Sequence, residues 1–464
     1  MKSRFLVGFA ALLLAAALPR LCRAQAPALY SIINVNPVGL NGSPTGINDD
    51  DQIVGFDSGG FGFLWMPGVP SFHFDTTNTP NYAFAINNLG QIAGEFVFTN
   101  GVSNAGVWSP QGYLSKSYSI TNGFGATGVG PSALNAVNDD SNAAGFIGAG
   151  LGTGTPPGTQ NAIETNALQA STIADPDTTL NGVSNIYEDT CGAETTNASP
   201  AIQYAVWIPN FSTHNGAGAV DMSGSTFGTA TFGAPASALA IDDGENMVGY
   251  SQNSLTGHIE AFAWDGPTDV SYGPLGYLPH STYSVANAIN SITGEIVGQS
   301  GTRAFLWTGD VTAPQFGVMT DMNTLIAPHS GWLLRDATAV NDYGDIVGTG
   351  FYHQAPAGFL AIPTVLQSIS LDSTTFSQSH SGSITGSVTF TNPAPFDLGV
   401  TVSLYNESTG QYATTVSTRV LAGATTAEYR IPIPSSPTIT VPEAYLVKAT
   451  FGGARAYSAF KLTP

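Results

Sequence analysis

The chain has 464 residues, only 9% of which are charged, and its formal net charge at pH 7 is −20. A field of this sign repels nucleic acids and anionic membrane surfaces, so the charge argues against a nucleic-acid partner. The two cysteines, Cys22 and Cys191, are too few for a thiolate metal cluster, and we interpret Cys191 as a buried structural thiol. The 54 glycines and 10% aromatic residues favour many short strands joined by tight turns, which predicts an all-β fold.

The first 26 residues have the features of an export signal. Lys2 and Arg4 precede an apolar run, Phe5 to Leu18, that is too short to span a bilayer. A small-x-small cleavage site follows at Ala24-Gln25-Ala26. We therefore predict that residues 1–26 are a removed signal peptide, that no membrane span follows, and that the protein is secreted, extracellular, periplasmic or exposed at the cell surface.

One phrase recurs seven times in the next three hundred or so residues. A small residue and an aliphatic residue precede Asn or Asp, then come a short polar turn and an apolar pair ending in Gly. The spacing averages about 49 residues, which is typical of propellers and similar arrays. The copies are Gly46–Gly55, Ala85–Gly94, Ala136–Gly145, a degenerate Asn185–Gly192 with Val183 at the small position, Ala240–Gly249, Ala288–Gly298 and Ala339–Gly348.

Each phrase has the chemistry of a β-hairpin. Asn or Asp can hydrogen-bond to its own backbone two residues further on, and Gly344 can supply the positive φ that a tight turn requires. Gly301 lies outside the phrase, so we expect it to tolerate substitution better than Gly344. Small residues before the Asn indicate an innermost strand, where neighbouring sheets converge.

A third strand with a terminal aromatic residue follows most copies, as in Ala304-Phe305-Leu306-Trp307. Five of the six tryptophans occupy this position: Trp65, Trp108, Trp207, Trp264 and Trp307. They could form a ring of sugar-stacking platforms, but their alternation with small residues favours packing between sheets.

The last copy lacks a fourth strand before the chain leaves the repeat region at Pro363. A matching segment, Leu29–Val35, precedes the first copy. We predict that this segment completes the seventh sheet, closes the ring and leaves no free edge.

The segment from Asn290 to Trp307 resembles the HAF-type extracellular repeat of bacteria. The resemblance covers roughly residues 28–363 and implies secretion and a β-propeller, with no established activity or catalytic residue. The histidine of the family's third strand is mostly absent here, since only His258, three residues before Ala261, comes near it.

The C-terminal part has a different pattern. Alternating strands such as Gly386–Phe390, Val400–Leu404 and Tyr445–Phe451 recur at intervals of about ten residues, with Pro, Gly and Asn in the turns. This part is similar to the Ig-like modules of bacterial surface proteins. The absence of a cysteine pair predicts a sandwich without an inter-sheet disulfide.

Few residues suggest a chemical site. Asn48, Asp49, Asp50 and Asp51 are the best candidate for a cation site, but so short a turn leaves little room to wrap six to eight ligands, and solvated turn acids are the better interpretation. The seven histidines form no zinc motif, and no nucleophile, phosphate or dinucleotide motif occurs. We predict no catalytic or cofactor-binding residue and no cofactor.

These observations predict an all-β chain: a signal peptide at 1–26, a seven-bladed β-propeller at 27–364 and an Ig-like β-sandwich at 365–464. The favoured function is a binding or interaction module for an extracellular ligand such as a polysaccharide or an envelope component. One alternative is a carbohydrate-active hydrolase or lyase with its site at the propeller mouth. Another is a purely structural envelope protein. We expect function at the mouth where loops converge and the hairpin turns do not dictate the sequence.

Overall fold

The computed structural model describes most of the chain after residue 28. The described ranges are 29–36, 41–67, 69–73, 80–97, 103–108, 114–117, 132–148, 160–166, 169–176, 178–185, 189–195, 203–208, 220–221, 226–227, 230–265, 270–311, 317–378, 382–394, 397–406, 412–433, 441–451 and 454–464. The predicted signal peptide lies outside them. Within them the chain forms strands and one short 3-10 helix, Met322–Thr324, which confirms the all-β class. No helix in these ranges has the length and apolar character needed to cross a membrane.

The repeat region forms seven sheets, which we number 1 to 7. The first strand of the chain, β1 (Leu29–Asn34), belongs to the last sheet. Sheet 1 contains β2 (Gly42–Ile47), β3 (Ile53–Asp57), β4 (Gly62–Met66) and β5 (Val69–His73). Sheet 2 contains β6 (Asn81–Ile86), β7 (Ile92–Val97), β8 (Ser103–Trp108) and β9 (Leu114–Ser117). Sheet 3 contains β10 (Ser132–Val137), β11 (Ala143–Gly148), β12 (Gln160–Asn166) and β13 (Gln169–Pro176).

The remaining sheets of this region follow the same order along the chain. Sheet 4 contains β14 (Thr178–Val183), β15 (Thr190–Thr195), β16 (Gln203–Ile208) and β17 (Val220–Asp221); sheet 5 contains β18 (Thr226–Phe227), β19 (Ala230–Ile241), β20 (Asn246–Asn253), β21 (Ile259–Asp265) and β22 (Val270–Gly276); sheet 6 contains β23 (Ser284–Ile289), β24 (Ile296–Ser300), β25 (Arg303–Thr308) and β26 (Val318–Asp321); sheet 7 contains β27 (Trp332–Val340), β28 (Ile346–Tyr352), β29 (Ala355–Thr364) and β1.

The pairing of the N-terminal strand with the last sheet is confirmed. β1 runs antiparallel to β29, with Leu29 opposite Thr364 and Asn34 opposite Phe359. The sheets also contact one another in a closed cycle. In sheet 5 the short β18 precedes the repeat hairpin, so β19 corresponds to the first strand of the other sheets. Each first strand contacts the first strand of the next sheet, and β27 contacts β2, which closes the series β2, β6, β10, β14, β19, β23 and β27.

The first strand of every repeat sheet carries a β-bulge three residues before the repeat Asn or its equivalent. Where the bulged residue is polar, its side chain bonds to a main-chain carbonyl of the next sheet: Thr45 to Ala83, Asn135 to Leu180, Asn181 to Ala238, Asn287 to Ala337 and Thr338 to Pro44, over 2.8–2.9 Å.

The bulge also explains the glycine that ends each phrase. A Cβ added at any of these glycines would overlap a carbonyl oxygen of the first strand just before the bulge, as Gly348 would overlap the oxygen of Asp336. A side chain there would force the strand pair apart. The seven positions are Gly55, Gly94, Gly145, Gly192, Gly249, Gly298 and Gly348.

Two expectations about the hairpins need correction. The fourth copy is displaced by one residue: Ser184 occupies the position of the repeat Asn, and Gly182, not Val183, is the small residue on β14. Gly344 has the expected positive φ of 83°, but Gly301 also has a positive φ of 60°, so Gly301 is a turn glycine and the expectation that it tolerates substitution better was wrong. Copies without Gly at this turn position place Asp51, Ser141 or Glu245 in the same left-handed region.

The repeated tryptophans pack in the core, as the alternation with small residues predicts. Trp108, Trp264 and Trp307 are at most 1% exposed. Trp65 and Trp207 are half-buried and pack against core clusters of the repeat region. None of the three buried indoles can serve as a sugar platform. Cys191 is likewise fully buried, and burial raises the pKa of its thiol.

The C-terminal part forms two further sheets. Its strands are β30 (Leu366–Ile369), β31 (Thr375–Ser377), β32 (Ser383–Phe390), β33 (Leu398–Asn406), β34 (Tyr412–Val420), β35 (Thr426–Pro432), β36 (Glu443–Phe451) and β37 (Ala454–Thr463). One sheet has the order β30-β32-β35, the other β31-β37-β36-β33-β34, and both contribute to one apolar core of their own. The Ser31 hydroxyl donates to the Pro393 carbonyl, which joins β1 to this part.

Candidate functional site on the loop face

The repeat region has two unlike faces. We call the side that carries the turns between the first and second strands the turn face. The opposite side, where the first strands begin and the second strands end, is the loop face. Antiparallel pairing places these two sets of connections at opposite ends of each sheet, and hydrogen bonds between successive turns place all the turns on one side.

The turn face is held by a chain of amide hydrogen bonds. The side-chain amide of one repeat Asn donates to the main-chain carbonyl at the equivalent position of the next copy. The bonds are Asn48 to Asn87 (3.0 Å), Asn87 to Asn138 (2.7 Å), Asn138 to Ser184 (2.9 Å), Asn290 to Asn341 (2.6 Å) and Asn341 to Asn48 (3.2 Å). The last bond links the seventh copy to the first. The repeat Asn is therefore a structural residue.

A second set of bonds lies one residue further on. Here a main-chain N–H donates to the side chain of the next turn, from Asp49 to Asn88, Asn88 to Asp139, Asp139 to Asn185, Asn185 to Asp243 and Asp342 to Asp49, over 2.7–3.0 Å. Burial, followed by the charges of Asp49, Asp243 and Asp139, raises the pKa of Asp342. The amide of Asn88 also donates to Asp49 and Asp139, and these hydrogen bonds stabilise the two carboxylates.

The candidate cation residues are used in these networks. Asn48 caps its own turn, Asp49 accepts from the N–H of Asp342, Asp50 is exposed, and Asp51 adopts a φ of 56°. Among the described residues, no group of three or more Asp, Glu, His or Cys side chains has a metal-binding arrangement. The cation site stays a sequence prediction, and its residues have structural partners.

An acid pair lies where the seventh turn meets the first. Asp345 accepts a hydrogen bond from the Asn341 amide (3.2 Å), a role that Gln52 and Gln91 perform for Asn48 and Asn87. The carboxyl of Asp51 lies nearby, and its Oδ1 is buried without a hydrogen-bond partner. Burial, and then the nearby Asp51 and Asp49, raise the pKa of Asp345 to about 7.

Replacing Asp345 by Asn is expected to stabilise the protein at pH 7 and above. The folded-state pKa of Asp345 lies above its unfolded value, so its contribution is fully present below about pH 4 and is lost as the pH rises to about 7. At about 1.4 kcal/mol per pH unit, the gain is on the order of 2–4 kcal/mol. Urea unfolding between pH 4 and 8 measures it. The other acids nearby, Asp51, Asp49 and Glu295, stay unchanged.

Asp50→Asn, an exposed change in the first turn, serves as the control and should leave the pH profile as it is. If the stability of Asp345→Asn falls between pH 4 and 7 as steeply as that of the natural protein, the acid pair does not govern this dependence.

The turn face carries the acidic side chains of the repeat turns, whereas the loop face carries several aromatic side chains. Phe56 packs edge-on against Tyr82, with ring centroids 5.2 Å apart. Trp332 lies 5.0 Å from Tyr352, which in turn lies 4.2 Å from His353. These residues are half-buried or exposed. The first pair lies at sheets 1 and 2 and the second group at sheet 7, and we call the two together the aromatic surface.

A second aromatic group lies at the junction of sheets 5 and 6. The His258 ring is 6.1 Å from that of Tyr277, and Tyr283 forms a backbone bridge with Ile259. Tyr277 and Tyr283 are 37% and 40% exposed. Sequence reasoning noted His258 only for its place near the third strand and missed Tyr277, Tyr283 and Trp332, because they stand outside the repeated phrase. The signal available was an aromatic residue just before a first strand, at its start or just after a fourth strand.

One buried carboxylate on this face has a structural role. Asp57 is enclosed and accepts from the N–H groups of Gly59 (2.7 Å) and Phe61 (3.1 Å) and from His73 Nε2 (2.6 Å). Two of these bonds hold the turn between β3 and β4, and the third joins Asp57 to His73 on β5. This arrangement fixes the loop and leaves the carboxylate no access to a substrate.

Similarity to known proteins is low. No protein-family model and no curated protein matches the chain. Among solved structures it is similar to the Dos1 propeller (9% identity, 68% of this chain and 66% of that one, TM-score 0.24). It is also similar to dimeric latent PorU from Porphyromonas gingivalis (12%, 82% and 32%, 0.16) and to the β-glucuronidase of Parabacteroides merdae (17%, 23% and 14%, 0.16). The chain thus covers less than two thirds of each of these chains, and TM-scores this low carry no conclusion about function.

Proposed function

We propose that the protein is an exported binding module in which a seven-bladed β-propeller with HAF-like repeats is followed by an Ig-like β-sandwich. The closed cycle of contacts between first strands, the pairing of β1 with β29 and the separate core of the C-terminal sheets support this architecture. The apolar N-terminal segment with its cleavage site supports export.

The observation that carries the function is the difference between the faces. On the turn face, side chains and main-chain groups are used in hydrogen bonds from one copy to the next. On the loop face, groups of aromatic and histidine side chains are half-buried or exposed at the ends of several sheets, and on the turn face Tyr343 is exposed. An amphipathic aromatic side chain exposed on a fixed scaffold suits the binding of a ligand. We infer that the loop face binds an extracellular polysaccharide or another envelope component.

Binding is expected to remain when the C-terminal sheets are removed. A mature chain ending at Thr364 should bind isolated bacterial cell envelopes and polysaccharides as well as the full mature chain does, since the aromatic surface lies entirely within the repeat region. Co-sedimentation with envelopes and affinity electrophoresis in polysaccharide gels measure binding, and reducing-sugar release measures cleavage.

Binding by residues 366–464 alone would make the repeat region a spacer and contradict the proposal. Cleavage that disappears on changing one loop-face Asp or Glu would establish the hydrolase alternative instead. Absence of binding to both envelopes and polysaccharides would favour a purely structural protein.

A further inference from the structure

The connection between sheets 5 and 6 presents two exposed tyrosines on a rigid support. Tyr277 and Tyr283 stand at its two ends, on the loop face. The Tyr283 carbonyl accepts three hydrogen bonds, from the Gly301 N–H (2.9 Å), the Ser300 hydroxyl (3.0 Å) and the Ser281 hydroxyl (2.8 Å). Such a carbonyl fixes the backbone from which the ring projects.

The middle of the same connection is also anchored. Leu278 is 4% exposed, and its N–H donates to the Ser300 hydroxyl over 3.0 Å. Ser284, at the start of β23, donates to the Gly276 carbonyl (2.6 Å) and accepts from the N–H of Ala261 (2.8 Å). Because the loop is ordered before any ligand arrives, binding has little backbone entropy to lose.

Polar atoms converge on these rings. His258, beside Tyr277, has its Nδ1 buried without a hydrogen-bond partner. The group therefore combines aromatic faces with hydroxyl and imidazole groups, and Leu255 is the one strongly exposed aliphatic side chain in the adjoining turn.

This combination matches a sugar better than an apolar protein surface. A pyranose ring presents C–H groups on one face, which stack on an aromatic ring, and hydroxyls at its edge, which need polar partners. The charges nearby are already engaged: Glu260 is buried and accepts from Asn253, and Arg303 pairs with Asp321 at 2.8 Å. With a net charge of −20, the protein disfavours an anionic polymer.

We propose that His258, Tyr277 and Tyr283 form a binding subsite for a neutral polysaccharide, with Tyr277 and Tyr283 as the stacking platforms. This inference rests on the proposed function and specifies where on the loop face binding occurs and the chemical class of the ligand.

The test uses the full mature chain with cellulose, chitin, xylan and β-1,3-glucan as neutral probes and alginate as an anionic one. We expect binding to at least one neutral probe and weaker binding to alginate. Combined Tyr277→Ala and Tyr283→Ala should weaken the neutral binding at least tenfold. Tyr343→Ala is the matched control, because Tyr343 is a 70% exposed tyrosine on the turn face and should leave affinity unchanged.

The outcomes separate this inference from the proposed function. If a neutral probe binds and the double variant keeps its affinity within twofold, the subsite is wrong while the loop face can still be the binding surface. If no neutral probe binds but isolated envelopes do, the ligand class is wrong and the proposed function stands. Circular dichroism of the double variant must match that of the natural protein, and His258→Ala offers a second variant that should weaken the same binding.

Discussion

Deleting residues 27–36 is expected to make the mature protein aggregate or melt at a far lower temperature. The deletion removes β1 and leaves β29 with an unpaired edge along Phe359–Thr364. It also removes Tyr30, which is 1% exposed and packs in a core cluster with Leu306 of sheet 6 and Met322 of the 3-10 helix. Differential scanning calorimetry and light scattering measure the two effects.

A point variant tests the same contact without removing the strand. Tyr30→Ala should cost about 3–5 kcal/mol of stability, as for other large buried aromatic residues. Ile33→Ala is the matched control on β1, since Ile33 is 38% exposed, and should cost less than about 1 kcal/mol. Unchanged melting of the deletion variant would rule out a stabilising role for the pairing of β1 with β29.

Replacing Gly348 by Ala is expected to destabilise the protein by several kcal/mol. The added methyl group would overlap the carbonyl oxygen of Asp336 and press on the Phe359 ring, and the first strand cannot move away without losing its bulge. Overpacking in a tight interior typically costs about 1–3 kcal/mol, and contact with a fixed main-chain oxygen places this site at the upper end or beyond. Chemical unfolding gives the value.

Gly399→Ala is the control. Gly399 lies in β33, and a Cβ there would meet no atom within 4 Å. The two variants make the same chemical change in a strand, so a similar loss at both positions would show that the carbonyl contact is not the reason for glycine in the repeat.

The sequence predicted the fold class, the hairpins and the strand that completes sheet 7, because each leaves a local pattern. It did not reveal why Gly348 must be glycine, since the opposing carbonyl, that of Asp336 twelve residues earlier, lies just before a β-bulge that no residue type marks. We placed the fourth copy one residue out of register because Ser184 stands where the other copies have Asn or Asp.

The candidate site was less accessible from the sequence. No repeat pattern marks Tyr277, Tyr283 or Trp332, because each lies outside the repeated phrase. Only the folded chain shows that they share a face. The pair of Asp51 and Asp345 depends on contact between the first and last copies. Asp345 stands four residues after the seventh repeat Asn, where the first two copies have Gln52 and Gln91, and this exception is visible in the sequence. Its proximity to Asp51 is not visible there.

The hydrogen bond from Asn341 to Asn48 joins residues 293 positions apart, and this separation has a consequence for folding. Neighbouring turns can associate as soon as two consecutive copies have emerged, because their contacts are local along the chain. β1 is synthesised first, yet its partner β29 is synthesised after all the other strands of the repeat region. Closing so long a loop costs conformational entropy and slows folding. β1 therefore stays unpaired until β29 has been synthesised. During that interval the unpaired strand edges make the protein most prone to misassembly.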